Sequence, residues 1–101
     1  MTTIIVLFNL REDADKEAYE NWAKTTDLPT ARNLPSVDKF DVLRTTGLLG
    51  GGEAPYQYVE VLEINDLEQL GKDGATEAMQ KVVAEFVSFA DNPQFMLTEA
   101  L

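Results

Sequence analysis

The sequence contains no cysteine and no histidine. Without cysteine the chain forms no disulfide, thiolate nucleophile or zinc–cysteine site. Without histidine it lacks both the commonest general base and the commonest metal ligand. It also has no glycine-rich phosphate cradle between a strand and a helix, so we expect no metal, flavin or nicotinamide cofactor.

Basic residues are scarce, with eight lysines and arginines against 18 acids and a formal net charge of −10. Such a chain repels phosphate backbones, so we expect no nucleic-acid partner and no binding to an anionic membrane surface. No apolar run approaches the roughly 20 residues of a transmembrane helix. The opening MTTIIVLFNL lacks the basic start and cleavage site of a signal peptide. We expect a cytoplasmic protein whose acidity serves solubility.

What the sequence does contain is enough apolar residues, 45%, for the core of one domain over residues 1–101. Apolar runs and alternation predict four strands, and a longer helical pattern predicts one long helix. The strands are expected over residues 3–10, 36–46, 56–64 and 92–101, and the long helix over residues 75–90.

Between these elements, turn and capping residues predict the remaining connections. An earlier helix is expected to start at Asp13 or Asp15, and a short helical turn after strand three is interrupted at Gly71–Gly74. GLLGGGEAP, residues 47–55, predicts a flexible hairpin loop. The order β-α-β-β-α-β predicts an α+β, ferredoxin-like fold, an antiparallel sheet with both helices on one face.

The second face of that sheet would be apolar and uncovered. Strand one places Ile5 and Leu7 there, and strand three adds Val59 and Val61. Because an apolar face of this size is unusual on a soluble monomer, a second copy is its simplest cover. We therefore predict a homodimer that packs sheet against sheet.

The stretch NWAKTTDLPT places the only tryptophan, Trp22, five residues before an acid. Pro29 predicts that the helix breaks near Thr26–Pro29 and then resumes. Asp27 then has two interpretations. It caps the resumed helix by accepting from the Thr30 N–H. Alternatively, burial at a pocket mouth raises its pKa and suits it to proton transfer. Both interpretations stay open, because a carboxylate that caps a helix at a pocket mouth can also transfer protons.

Other candidates also have a structural and a functional interpretation. Trp22 is either a core residue or a platform for a ligand. Glu60 shares a face of strand three with Tyr56 and Tyr58, so it either faces the core or reaches solvent at the edge. Arg44 neutralises Glu60 or Asp27, or lies on the surface.

The stretch WAKTTDLPTARNLPSVDKF resembles a motif of the dimeric α/β-barrel superfamily, which comprises cofactor-independent monooxygenases and their relatives. In that motif a helix with an aromatic residue is followed by His-x-Pro and a Leu-Pro-Gly-type turn. Here Trp22, Asp27-Leu28-Pro29 and Leu34-Pro35-Ser36 occupy those places. The acid in place of histidine, together with VLRTTG, YVEVLEI and FMLTEAL, is similar to the RedY-like/HapK branch of prodiginine pigment biosynthesis.

The resemblance implies a dimeric α/β barrel with a pocket between sheet and helices and an association with tripyrrole or related aromatic metabolites. Chemistry that relies on the histidine is not carried over, and Asp27 alone inherits its position. We therefore predict a pocket protein that binds a pyrrole-type intermediate and assists condensation, dehydration or cyclisation by cofactor-free acid–base chemistry.

The predicted catalytic residues are Asp27, Glu60 and Tyr56. The predicted substrate-binding residues are aromatic apart from one arginine: Trp22, Phe8, Phe40, Arg44, Tyr58, Phe86 and Phe89. One alternative is a non-catalytic protein that shields the intermediate or delivers it to a partner enzyme. A second alternative is a cofactor-free monooxygenase, which the missing histidine disfavours.

Overall fold

The structure, a computed structural model, describes residues 1–101. It contains four strands and four α-helices, with a π-helical turn between the first two helices. Their bounds are β1 Thr2–Leu10, α1 Lys16–Trp22, the π turn Ala23–Asp27, α2 Leu28–Arg32, β2 Val37–Arg44, β3 Tyr58–Ile64, α3 Leu67–Gly74, α4 Glu77–Phe89 and β4 Ala90–Thr98. None of the helices combines the length and hydropathy needed to span a bilayer.

The sheet has the strand order β2-β3-β1-β4, and every neighbouring pair is antiparallel. This is the arrangement expected for βαββαβ, and it confirms the ferredoxin-like α+β fold. Side chains alternate between the two faces of each strand. Val6, Phe8 and Tyr58 are fully buried on the face that the helices cover.

Side-chain caps explain where three of the helices begin. Asp15 accepts from the Ala18 N–H at 3.1 Å at the start of α1. Asp66 accepts from two backbone N–H groups at the start of α3, and Thr76 accepts from the Met79 N–H at the start of α4. Each cap satisfies donors that have no partner within the helix.

The predicted interruption at Gly71–Gly74 is wrong, because α3 continues through Gly71 and ends at Gly74. Its second turn is held by side-chain hydrogen bonds to Asp73, from Ser36 outside the helix and from Gln69 within it. Asp73 accepts from the Ser36 hydroxyl at 2.6 Å and the Ser36 N–H at 3.0 Å, and also from Gln69 at 2.8 Å. These bonds offset the poor helix propensity of the glycines.

The predicted helix break near Thr26–Pro29 is also wrong. The helix continues from α1 to α2 through the π turn, in which the Leu28 N–H bonds to the Ala23 carbonyl, five residues back. Asp27 has helical φ and ψ and makes no capping hydrogen bond through its side chain. Its interpretation as a helix cap is therefore wrong. Pro29 is the second residue of α2 and directly follows the π turn, so its missing donor falls beside the irregular part of the continuous helix.

Two apolar clusters make up the core between the sheet and the helices. The larger includes Tyr19 and Trp22 from α1 and Val82 and Phe86 from α4. The smaller comprises Ala31, Val37, Phe40 and Ile64. Ile4, Val42 and Leu62 contact both clusters, so the core is continuous along the sheet.

Candidate functional site

The π turn sets the direction of the acid that follows the tryptophan. In a π turn, residues five apart share a face, because one extra residue is held in the turn. Trp22 and Asp27 are five apart, and both are buried, at 8% and 6% exposure. Turns of this kind occur frequently at functional sites. The π turn therefore places the Asp27 side chain on the same side of the helix as Trp22, facing the core between α1 and the sheet.

Asp27 is a carboxylate with little water around it. Burial raises the pKa of its carboxyl from 3.8 to about 6. At neutral pH the group is therefore mainly ionised but close to the range in which it takes up a proton. Such a poised carboxylate suits a general base.

Glu60 lies at the centre of the sheet, where β3 pairs it with Val6 on one side and Val42 on the other. It faces the core at 5% exposure, so the interpretation that it reaches solvent is wrong. Its Oε2 atom is buried without a hydrogen-bond partner. Burial first, and the charge of Asp27 second, raise the pKa of Glu60 from 4.5 to about 8. At neutral pH Glu60 is therefore mainly a neutral carboxylic acid.

Tyr19 is a third polar group in this space, and the sequence reasoning missed it as a site residue. Its side chain is fully buried and its hydroxyl has no hydrogen-bond partner. Burial raises the pKa of Tyr19 far above its ordinary value, and the charges of Glu60 and then Asp27 add to the rise. Its spacing of three residues before Trp22, on the same helical stripe, is the signal that could have found it.

Most of the predicted aromatic lining residues come together around Tyr19. Ring centroids lie 4.8 Å apart for Tyr19 and Tyr58, 5.5 Å for Phe8 and Tyr58, and 5.5 Å for Trp22 and Phe89. Phe86 contacts both Phe8 and Trp22. The indole Nε1 of Trp22 is buried without a partner.

Two predicted site residues lie outside this aromatic group. Phe40 packs in the smaller core cluster with Ala31 and Ile64. Tyr56 precedes β3 and is half-buried, and its backbone carbonyl accepts from the Thr45 hydroxyl at 2.6 Å. Tyr56 stacks with none of the aromatic side chains above and does not line the pocket described below, so its predicted catalytic role stays a prediction.

Arg44 pairs with Glu20, and neither Glu60 nor Asp27 is its partner. The guanidinium donates two hydrogen bonds of 2.8 Å to the two oxygens of Glu20, and the Tyr58 hydroxyl donates a third of 2.6 Å. The bond from Arg44 and then that from Tyr58 lower the pKa of Glu20 to about 2. The interpretation that Arg44 neutralises a buried acid is wrong, since its side chain is half exposed.

A pocket of about 370 Å³ opens beside these groups, between α1, the π turn and strands β2 and β3. Its lining residues are Tyr19, Glu20, Ala23, Lys24, Leu28, Val42, Leu43, Arg44 and Tyr58. The two buried acids are not among these lining residues, but each is adjacent to one of them. Asp27 precedes the lining residue Leu28, and Glu60 pairs across the sheet with the lining residue Val42. No group of three acids is arranged to hold a metal ion.

A family model with the description "REDY-like protein HapK" matches residues 2–101. The chain belongs to the HapK family of REDY-like proteins. Its structure is similar to that of HapK from Hahella chejuensis, with 35% identity and a TM-score of 0.82, covering 100% of this chain and 93% of HapK. The family match confirms the resemblance identified from the acid, the tryptophan and the surrounding stretches.

More distant structures share the fold of the HapK family. An ethyl tert-butyl ether d (EthD) family protein from Bacillus halodurans is 24% identical, with a TM-score of 0.78 and coverage of 100% of this chain and 99% of that chain. SnoaB, a cofactor-independent oxygenase from Streptomyces nogalater, is 13% identical, with a TM-score of 0.77 and coverage of 98% of this chain and 91% of SnoaB. No curated protein matches the chain significantly.

Proposed function

We propose that this HapK-family chain serves secondary-metabolite biosynthesis by binding a flat aromatic intermediate and moving protons on it. A pyrrole-type intermediate of a prodiginine-like pathway is the ligand that the family suggests. The proposal is supported by one observation, namely that two buried carboxyls, Asp27 and Glu60, are adjacent to residues that line a mostly apolar pocket, Leu28 and Val42.

The two carboxyls have different protonation states at neutral pH. Asp27, with a pKa of about 6, is mainly the base, and Glu60, with a pKa of about 8, is mainly the acid. Separated pKa values in one site are the usual arrangement for combined acid and base catalysis. Condensation, dehydration and cyclisation each require one proton to leave and another to arrive, so this pair suits all three without a cofactor.

We further propose that the chain works as a cytoplasmic homodimer that covers the outer face of the sheet. On that face Leu43 and Met96 are 50% and 41% exposed, and Ile5, Leu7, Val59 and Val61 are half-buried around them. A structurally similar protein from Bacteroides fragilis, 14% identical with a TM-score of 0.69, is dimeric. A second copy would remove this apolar surface from water.

The catalytic proposal is tested with Asp27→Asn, which removes the charge and the proton-accepting capacity but keeps the size of the side chain. With bipyrrole-type substrates, turnover is expected to fall by on the order of 100-fold or more. Binding of the same substrates should change little. Near-normal turnover in this variant would refute a catalytic Asp27.

Two further measurements separate the alternatives. A wild-type protein that binds the bipyrrole but never converts it is a carrier that delivers the intermediate to a partner enzyme. Oxygen consumption that matches substrate loss would instead identify a cofactor-free monooxygenase.

The dimer is tested with Val61→Asp, which places a charge in the centre of the outer face. The variant is expected to run as a monomer or to aggregate, while wild type runs at twice the chain mass in size-exclusion chromatography with light scattering. Val83→Asp is the matched control, because Val83 is half exposed on α4, on the other side of the molecule. A wild-type chain that is monomeric at low micromolar concentration would contradict the proposal.

A further inference from the structure

We propose that Tyr19, Glu60 and Asp27 form a site that enolises a carbonyl compound. In this reaction Asp27 removes a proton from the carbon beside the carbonyl, and Tyr19 and Glu60 together bind the carbonyl oxygen. The inference rests on the small-molecule pocket proposed above and specifies its substrate class. That class is a flat aromatic or ring-fused ketone with an acidic C–H next to the carbonyl.

The first observation is an excess of buried hydrogen-bonding groups that have no partner. Three side-chain atoms are buried and unpaired, and two of them are the Tyr19 hydroxyl and Glu60 Oε2. Buried polar atoms are nearly always paired, so an unpaired set in one place requires an explanation. A missing acceptor of hydrogen bonds, supplied by a bound molecule, accounts for both atoms.

The second observation is that the two groups are neighbours on the helix-covered face of the sheet. The Tyr19 ring packs against Tyr58 with centroids 4.8 Å apart. Tyr58 and Glu60 are two residues apart on β3, so their side chains lie on the same face, about 7 Å apart along the strand. Tyr19 therefore packs on the strand that carries Glu60, and the charges of Glu60 and Asp27 both act on its phenol, so the three groups share one region of this face.

The third observation is the chemical state of the three groups. The phenol of Tyr19 is neutral, and Glu60 is mainly a neutral acid at pH 7, so each offers one O–H donor. Asp27 is mainly ionised and offers only acceptors. Two neutral donors and one carboxylate base in an apolar site are the set that ketosteroid isomerase uses to enolise its ketone.

The proposed step is balanced without a cofactor. The C–H proton moves to a carboxylate oxygen of Asp27, and the C–H electron pair becomes the new carbon–carbon double bond. The π electrons of the carbonyl move to its oxygen, which accepts hydrogen bonds from the Tyr19 O–H and the Glu60 O–H. Return of the proton from Asp27 to carbon regenerates the ketone. Each preformed hydrogen-bond donor of this kind typically increases the rate of the reaction by 10²–10³-fold.

The activity test uses 2-tetralone, a two-ring ketone, in D₂O. Proton NMR follows the replacement of hydrogen beside the carbonyl by deuterium. Wild type is expected to accelerate this exchange above the buffer rate, and Asp27→Asn to return it to that rate. Tyr19→Phe should slow it on the order of 100-fold, and Glu60→Gln should slow it less, because its amide N–H can still donate to the carbonyl oxygen. Glu53→Gln, a change of the same type in the exposed loop, should leave the rate unchanged.

The binding test compares 2-naphthol, whose oxygen mimics that of an enolate, with naphthalene, which has the same rings without oxygen. Fluorescence titration is expected to show that Tyr19→Phe weakens 2-naphthol binding about 10-fold, the loss of one buried hydrogen bond. Naphthalene affinity should not change. Tyr19→Phe keeps the ring, and its near-ultraviolet circular dichroism checks that the aromatic packing survives.

The outcomes separate this inference from the proposed function. If wild type binds neither naphthalene nor 2-naphthol, the pocket proposal and this inference both fail. A second outcome refutes only the enolisation site. In that outcome the wild type binds naphthalene and 2-naphthol equally, Tyr19→Phe and Glu60→Gln leave both affinities unchanged, and 2-tetralone does not exchange its hydrogens. Exchange that depends on Asp27 together with 2-naphthol binding that depends on Tyr19 supports the inference.

Discussion

Glu60 is predicted to make the fold less stable as the pH rises. Its pKa is raised from 4.5 in the unfolded chain to about 8 in the folded state, so the folded state holds the proton more tightly. The stabilisation from this proton is fully present below pH 4.5 and is lost as the pH rises to 8. At about 1.4 kcal/mol for each pH unit, the loss amounts to about 5 kcal/mol.

Glu60→Gln should remove this dependence, because the amide is a neutral analogue of the protonated acid. At pH 5 the folded states of both proteins are neutral at this position, and the wild type retains most of the stabilisation from the Glu60 proton, so their difference in stability combines that stabilisation with the cost of the amide group. At pH 9 wild type carries a buried charge and the variant does not. The change in that difference between pH 5 and pH 9 is therefore the contribution of the Glu60 proton, and we expect several kcal/mol in favour of the variant.

The assay is urea unfolding followed by circular dichroism, at one protein concentration and at both pH values. Glu53→Gln is the control, since Glu53 is exposed in the loop and its substitution should leave the pH dependence as in wild type. A pH dependence of stability that is the same in Glu60→Gln and wild type would refute the assignment of a neutral buried acid at the centre of the sheet.

Two further predictions concern the start of α3 and the rim of the pocket. Asp66→Ala removes a cap that accepts from two N–H groups and should cost about 1 kcal/mol, or about 4–8 °C in Tm. Asp13→Ala, an exposed acid before α1 that caps nothing, is its control in the same melting experiment, and an equal loss in both would contradict the capping role. Arg44→Met removes the larger cause of the low pKa of Glu20 and should raise it from about 2 towards 4.5 in a ¹³C carboxyl titration. A pKa that stays near 2 would show that the Tyr58 bond alone is sufficient.

Local sequence patterns predicted the fold and named two of the three buried polar residues, Asp27 and Glu60. Alternation on β3 put Glu60 on the same face as Tyr58, because the period of a strand is fixed by its geometry, but it left open whether that face is covered at Glu60. The same rule could not find the partner of Arg44, since Glu20 lies 24 residues away on a helix whose position depends on packing. Tyr19 was missed because an aromatic residue on an apolar helix stripe is typical of core. Only the structure reveals that its hydroxyl has no partner.

Pro29 explains why the helix was predicted to break. A proline inside an α-helix removes one donor and clashes with the carbonyl four residues before it. From sequence alone, a stop is the simplest outcome. The π turn is a second outcome, in which one extra residue absorbs the irregularity and the helix continues. Which of the two occurs depends on the packing of α2 against β2, and no local pattern records that packing.

The π turn also has a consequence for how the length of this chain can vary. Anywhere else in a helix, removing one residue rotates everything that follows by about 100° and turns buried side chains outward. Between Trp22 and Asp27 a deletion would instead convert a spacing of five into a spacing of four, which shares a face in an ordinary α-helix. Relatives one residue shorter at this point would keep the acid beneath the aromatic group. When such sequences are aligned, the gap belongs at residues 23–26, so that the acids remain matched.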